Sequence, residues 1–163
     1  MSRASAANVL RALNPDRYEV VPIGLDREGR WLLCDAGNGA GRGESALSIP
    51  EDAPAVALIP GGRGRLLRCD AGEPPAPFDV IFPVLHGPNG EDGTVQGALE
   101  LAQVPYVGAR VMGSAAAMDK DIAKRLMRDA GLPIVAFVSM TRARPLDWAS
   151  AAAVVGSDMF VKP

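Results

Sequence analysis

FPVLHGPNGEDGTVQGALELAQVPYVGARVMGSAAAMDK, the stretch from Phe82 to Lys120, decides the fold. It begins inside an apolar run, Phe78 to Leu85 (FDVIFPVL), whose near-continuous hydrophobicity predicts a strand buried in a parallel sheet. The only histidine of the chain, His86, follows directly, in a turn crowded with Gly87, Gly90, Glu91, Asp92 and Gly93. Thr94 to Ala102 predicts a helix with Val95, Ala98, Leu99 and Leu101 facing inward, and Pro105 to Gly108 a short strand. Met118 to Ala130 predicts a second helix with Ile122, Leu126 and Met127 inward, Lys120 in its first turn and Gly131-Leu132-Pro133 as its stop. Open α/β sheets bind ligands in loops at the carboxyl ends of strands, so this segment reads as a site.

Outward from it, Ser2 to Leu13 has Ala6, Val9, Leu10 and Leu13 at helical spacing and closes at Asn14-Pro15. Tyr18 to Leu25 predicts a strand, with Pro22 marking an edge or an irregularity. Asp26 to Gly29 is a hairpin turn into a short strand at Trp31 to Cys34. Asp35 to Pro54 is a Gly/Ala/Ser-rich loop whose GNGAGRG lacks the GK[ST] of a phosphate loop and reads as a surface insertion. Gly61 to Gly64 is a turn between short strands. Val135 to Met140 and Met159 to Val161 predict further strands around a helix at Pro145 to Val154. Such alternation argues an α/β fold, and the small residues Gly113 to Ala117 mark a domain boundary, giving domains 1–115 and 116–163.

Composition narrows the class. The 163 residues are 48% apolar and 22% charged, an ordinary globular balance. A formal charge of -2 leaves no basic footprint for nucleic acid or an anionic membrane. No apolar run reaches the roughly 18 residues of a membrane span. Cys34 and Cys69 stand apart with no CxxC, which predicts free thiols in a reducing cytoplasm.

Taken alone, the candidate residues are ambiguous. A lone histidine is more often a structural hydrogen-bonder than a functional group. Glu91 and Asp92 can be read as paired acid/base carboxylates, but Glu91 orienting pocket groups and Asp92 capping the Thr94 helix fits better. A metal site lacks a second histidine and any ligand spacing. Lys120 reads first as a solvated side chain. Its position at a positive helix end is nevertheless what an anion site would want, with a cation and free amides facing one phosphate. Lys124, Arg125, Asp121 and Arg128 read as helix-surface pairs.

Four ordered blocks carry a resemblance: HGPxGEDGTxQG (His86 to Gly97), PYVGxxVxxSAxAMDK (Pro105 to Lys120), KRLxxxAGLP (Lys124 to Pro133) and FVKP (Phe160 to Pro163). Together they resemble the D-alanine–D-alanine ligases of the ATP-grasp superfamily. The resemblance is strong from about Asp79 to Pro133 and vanishes between Cys34 and Ala76. It implies a Rossmann-like N-terminal (pre-ATP-grasp) α/β domain followed by the first part of an ATP-grasp domain. It further implies ATP-dependent joining of two D-alanines through an acyl phosphate, for peptidoglycan, in the cytoplasm. His86, Gly87 and Glu91 would line the first D-alanine subsite, and Lys120 and Lys162 would contact ATP. The family uses Mg²⁺, whose ligands are expected beyond Pro163, and is commonly a homodimer.

The resemblance also implies truncation. Met1 to Leu10 overlays a family helix beginning VSxxSAxNVL, ahead of which lie a first strand and a Gly-rich turn with a catalytic glutamate; beyond Lys162-Pro163 a serine-rich loop is expected. The chain alone is thus expected to be an inactive N-terminal portion. The alternatives are a non-catalytic domain that binds a small amino acid or pairs with a full-length subunit, or another ATP-grasp carboxylate–amine ligase. A ligase accepting D-lactate or D-serine as second substrate also fits.

Overall fold

A computed structural model describes residues 2–34 and 49–162; the GNGAGRG run, and with it most of the Asp35 to Pro54 loop, lies outside the described residues. The protein is mixed α/β, and it divides into two compact units, Met1–Ala115 and Ala116–Pro163.

The first unit opens with α1 (Ser2–Ala12), which buries Ala7. Four short strands follow: β1 (Ile23–Leu25), β2 (Trp31–Leu33), β3 (Ala55–Leu58) and β4 (Leu66–Arg68). They form one antiparallel sheet in the order β1-β2-β3-β4, with Gly24 opposite Leu32, Trp31 opposite Val56 and Ala57 opposite Leu67. The β1–β2 hairpin closes as the sequence predicts. Asp26 takes the amides of Glu28 and Arg30 on one carboxylate oxygen and the Arg30 side chain on the other. The strand expected from Tyr18 shortens to Ile23–Leu25. Pro22 has no amide to donate, although its carbonyl still accepts from the Cys34 amide at 3.0 Å.

The Gly61–Gly64 turn does join two strands, β3 and β4, and it also serves a helix. The amides of Gly61 and Arg63 donate to the carbonyls of Leu101 and Ala102, both at 2.8 Å. These carbonyls end α2 (Thr94–Leu101), so the turn satisfies acceptors that a helix terminus leaves open. Gly64 has φ +84°, and a Cβ there would sit 2.2 Å from the Phe78 carbonyl oxygen, so only glycine fits.

The core of this unit is Val95, Leu99, Ala102 and Val104, flanked by Leu25, Trp31, Leu58, Ile81, Leu85 and Tyr106. Leu99 is fully enclosed, at 0% exposure. The inward face of α2 is therefore Val95, Gln96 and Leu99, not the predicted set: Ala98 and Leu101 face out. The Phe78–Leu85 run does not form a long strand. It meets the Pro105–Gly108 segment at a single parallel bridge, Ile81 to Tyr106. There the Ile81 amide donates to Pro105 O and the Val107 amide to Ile81 O, both at 2.9 Å. Val80 and Phe82 remain exposed, because no second strand among the described residues covers that face.

The small-residue run read as a boundary is itself helical: α3 spans Val111–Met118, its alanines being the strongest helix formers. The division between the units falls within it. In the second unit, α4 (Lys120–Asp129) and α5 (Trp148–Val155) are capped by Asp119 and Asp147, whose carboxylates accept backbone amides of the first turn. The predicted strands at Val135–Met140 and Met159–Val161 are absent as ladders. The backbone pairing there is a tight reciprocal bridge between Thr141 and Arg144. Ile122, Leu126 and Met127, expected to face inward, are exposed, and the buried apolar residues of this unit are Ala123 and Ala151. No helix among the described residues is long and apolar enough to cross a membrane.

Candidate functional site

The turn after the Ile81 bridge is built almost wholly from its own polar groups. The Glu91 amide donates to Gly87 O at 3.1 Å, and the Gly87 amide donates back to Glu91 Oε2 at 2.5 Å. Asp92 holds the next bend, its two carboxylate oxygens taking the Asn89 amide at 2.8 Å and the Thr94 amide at 3.0 Å. It thus braces the entry to α2 from one residue before the cap position. The cap itself is Gly93, at φ 96° with no side-chain bond, and a Cβ there would lie 2.9 Å from Val111 O. Buried Gln96 ties helix to turn by donating from Nε2 to Gly90 O at 3.0 Å.

Hydrogen bonds from the Asn89 and Thr94 amides hold the Asp92 carboxyl below its ordinary range. A depressed folded-state pKa means the contribution is complete above the unfolded value and is lost as pH falls through the folded one. Asp92→Asn is therefore expected to melt below the parent at neutral pH, and the gap should close in acid as Asp92 takes its proton. Tm measured against pH for both proteins checks this.

His86 leaves the bridge segment half-exposed, and Ser5 and Glu91 are among its neighbours. Its Nε2 lies 3.0 Å from Ser5 Oγ on α1, and its Nδ1 lies 3.7 Å from Glu91 Oε1. His86, Gly87 and Glu91 thus come together, and the structure adds Ser5, 81 positions away in sequence. No local pattern marks Ser5, because α1 supplies it through tertiary packing alone. A second polar group, Glu100–Tyr106–Arg110, was not singled out from the sequence either. There Glu100 Oε1 accepts from Tyr106 OH at 3.0 Å and Arg110 Nε at 3.1 Å. Those bonds, the Arg110 one foremost, lower the Glu100 pKa, while burial and the Glu100 bond raise that of Tyr106.

Lys120 and Lys162 lie in the second unit. Lys120 is the first residue of α4, yet its ammonium donates to the carbonyls of Ala117 at 3.1 Å and Met118 at 3.2 Å. Those carbonyls end α3, where a cation is favourable, so a lysine that looks misplaced at one helix start is well placed at the preceding helix end. The early α4 amides are already engaged, those of Asp121 and Ile122 donating to Asp119 Oδ1 at 2.9 and 3.0 Å. Nearby, Arg125 pairs with Asp121 at 2.7 Å, Ser139 donates to Asp121, and Lys124 lies 4.8 Å from the centre of the Phe137 ring. Lys162 does not emerge from a buried strand as its sequence context predicts. It is exposed, and the preceding Phe160 and Val161 are 98% and 75% exposed.

A shallow depression of about 740 Å³ lies on α2, lined by Gly93, Thr94, Gly97, Ala98, Glu100 and Leu101. It contains neither His86 nor Glu91. Among the described residues, no group of three or more His, Cys, Asp or Glu side chains is placed to hold a metal ion.

Residues 1–109 match a family described as the D-Ala–D-Ala ligase N-terminus. The chain belongs to the D-alanine–D-alanine ligase family. It is 61% identical over 166 residues to D-alanine–D-alanine ligase B of Bradyrhizobium diazoefficiens, covering 100% of this chain and 44% of that protein. A solved D-alanine–D-alanine ligase from Coxiella burnetii superposes with a TM-score of 0.69 at 33% identity, covering 86% of this chain and 40% of that one. The VanG D-Ala:D-Ser ligase from Enterococcus faecalis gives 0.65 at 31% identity, covering 83% and 40%. The chain spans less than half the length of these relatives.

Proposed function

We propose that this chain is part of a cytoplasmic, homodimeric, ATP-dependent ligase that joins two D-alanines into D-alanyl-D-alanine for peptidoglycan. The observation that most supports this is the 61% identity to the Bradyrhizobium ligase, in an alignment that covers the whole chain. Within the proposal, residues 1–115 form the substrate-side domain and residues 116–163 begin the ATP-grasp nucleotide domain.

In the reaction, a carboxylate oxygen of the first D-alanine attacks the γ-phosphorus of ATP and ADP leaves. The amine of the second D-alanine then attacks the acyl carbon, phosphate departs and the amine loses a proton. His86 meets the first substrate's carboxylate, Glu91 holds the ring, and the Gly87 backbone lets ligand approach closely. Lys120 and Lys162 stabilise charge on the phosphates, the main task of a protein in phosphoryl transfer. Mg²⁺, which the family uses, would be held by side chains outside this chain and would add to the charge stabilisation that the lysines supply.

A chimera tests the proposal: the segment of the Bradyrhizobium ligase that aligns with this chain is replaced by it. Expected is phosphate release that depends on D-alanine, with D-alanyl-D-alanine as product. A chimera that is folded by circular dichroism but releases no phosphate would contradict it. Parallel assays with D-serine and D-lactate address the acceptor, since the VanG relative is named for D-serine.

A further inference from the structure

We infer that Ser5 is a positioning residue for His86, holding the imidazole in one orientation for the donor D-alanine; this rests on the function proposed above. The geometry carries it. A carboxylate only accepts, so Glu91 beside Nδ1 favours the proton on that nitrogen and leaves Nε2 of a neutral ring as an acceptor. Ser5 Oγ, 3.0 Å from Nε2, then donates to it. A hydroxyl both donates and accepts, so the same serine also receives a bond from Nε2 when the ring is protonated. Ser5 therefore holds the ring in either state, from a rigid helix, while Glu91 is itself fixed by the Gly87 amide at 2.5 Å.

A serine nucleophile activated by His86 is a different use of the same three residues. The geometry disfavours it, because the turn offers no free oxyanion donor beside the serine. The neighbouring Gly87 amide, which would serve as an oxyanion donor, is already given to Glu91.

The single histidine makes the test clean. Imidazole ¹⁵N spectra of the 163-residue chain, taken in alkaline buffer where the ring is neutral, should show the Nδ1–H tautomer dominant in the parent and in Ser5→Thr. Ser5→Ala should lose that dominance. In the chimera, Ser5→Ala should raise KM for the donor D-alanine about tenfold, with KM for ATP unmoved, and Ser5→Thr should restore it. An unchanged spectrum in folded Ser5→Ala, or a threonine variant as impaired as the alanine one, overturns the inference. An inactive parent chimera overturns the functional proposal instead, and the spectra still decide whether Ser5 positions the ring.

Discussion

Replacing Leu99 with alanine is expected to destabilise the first unit by about 2–5 kcal/mol, the range for truncating a fully buried leucine. Leu99 has no exposed surface and lies at the centre of the Val95, Ala102 and Val104 cluster. The loss has two parts, the transfer free energy of the removed carbons and the cavity they leave. Collapse into that cavity is hindered, because α2 is pinned at both ends. Asp92 and Gln96 hold its start, and the Gly61 and Arg63 amides hold its final carbonyls. Typical domains have only about 5–15 kcal/mol in total, so urea unfolding should show a midpoint far below that of the parent. Leu101→Ala, on the exposed side of the same helix, is the matched control and should change stability by under about 0.5 kcal/mol.

The second large effect is catalytic. In the chimera, Lys120→Ala and Lys162→Ala should each lower kcat about 10²–10³-fold, the loss typical of one preorganised donor to developing charge. KM for D-alanine should move little, since neither lysine belongs to the His86 turn. Lys120 requires a control, because its ammonium also closes the end of α3. Circular dichroism of the Lys120→Ala variant separates a lost phosphate contact from an unwound helix. Full activity in both variants would remove the lysines from the nucleotide site.

Features set by neighbouring residues were legible in the sequence. The Asp26–Gly29 hairpin and the Gly61–Gly64 turn follow from turn chemistry, which acts over a few residues. The inward-bonding role read for Glu91 has a counterpart in the bond it accepts from the Gly87 amide, four residues away.

Features that depend on a distant partner were not legible. A strand exists only where another strand supplies its ladder, so FDVIFPVL, apolar enough for a buried strand, contributes one bridge at Ile81, and Val135–Met140 contributes none. α3 was missed because the small residues Gly113 to Ala117 were read only as a domain boundary, whereas the alanines among them propagate a helix. Ser5 was missed for the same physical reason: 81 residues separate it from the ring it touches. Lys120 shows the complementary error. Its charge was weighed against α4 alone, while the carbonyls it satisfies belong to the helix before.

The most direct measurement follows the oxygen atoms. The chimera is supplied with ATP and with D-alanine carrying ¹⁸O in its carboxylate, and the released phosphate is weighed by mass spectrometry. Transfer through an acyl phosphate predicts one labelled oxygen in the phosphate for each D-alanyl-D-alanine formed. Dipeptide accompanied by unlabelled phosphate, or ATP hydrolysis without dipeptide, would contradict it.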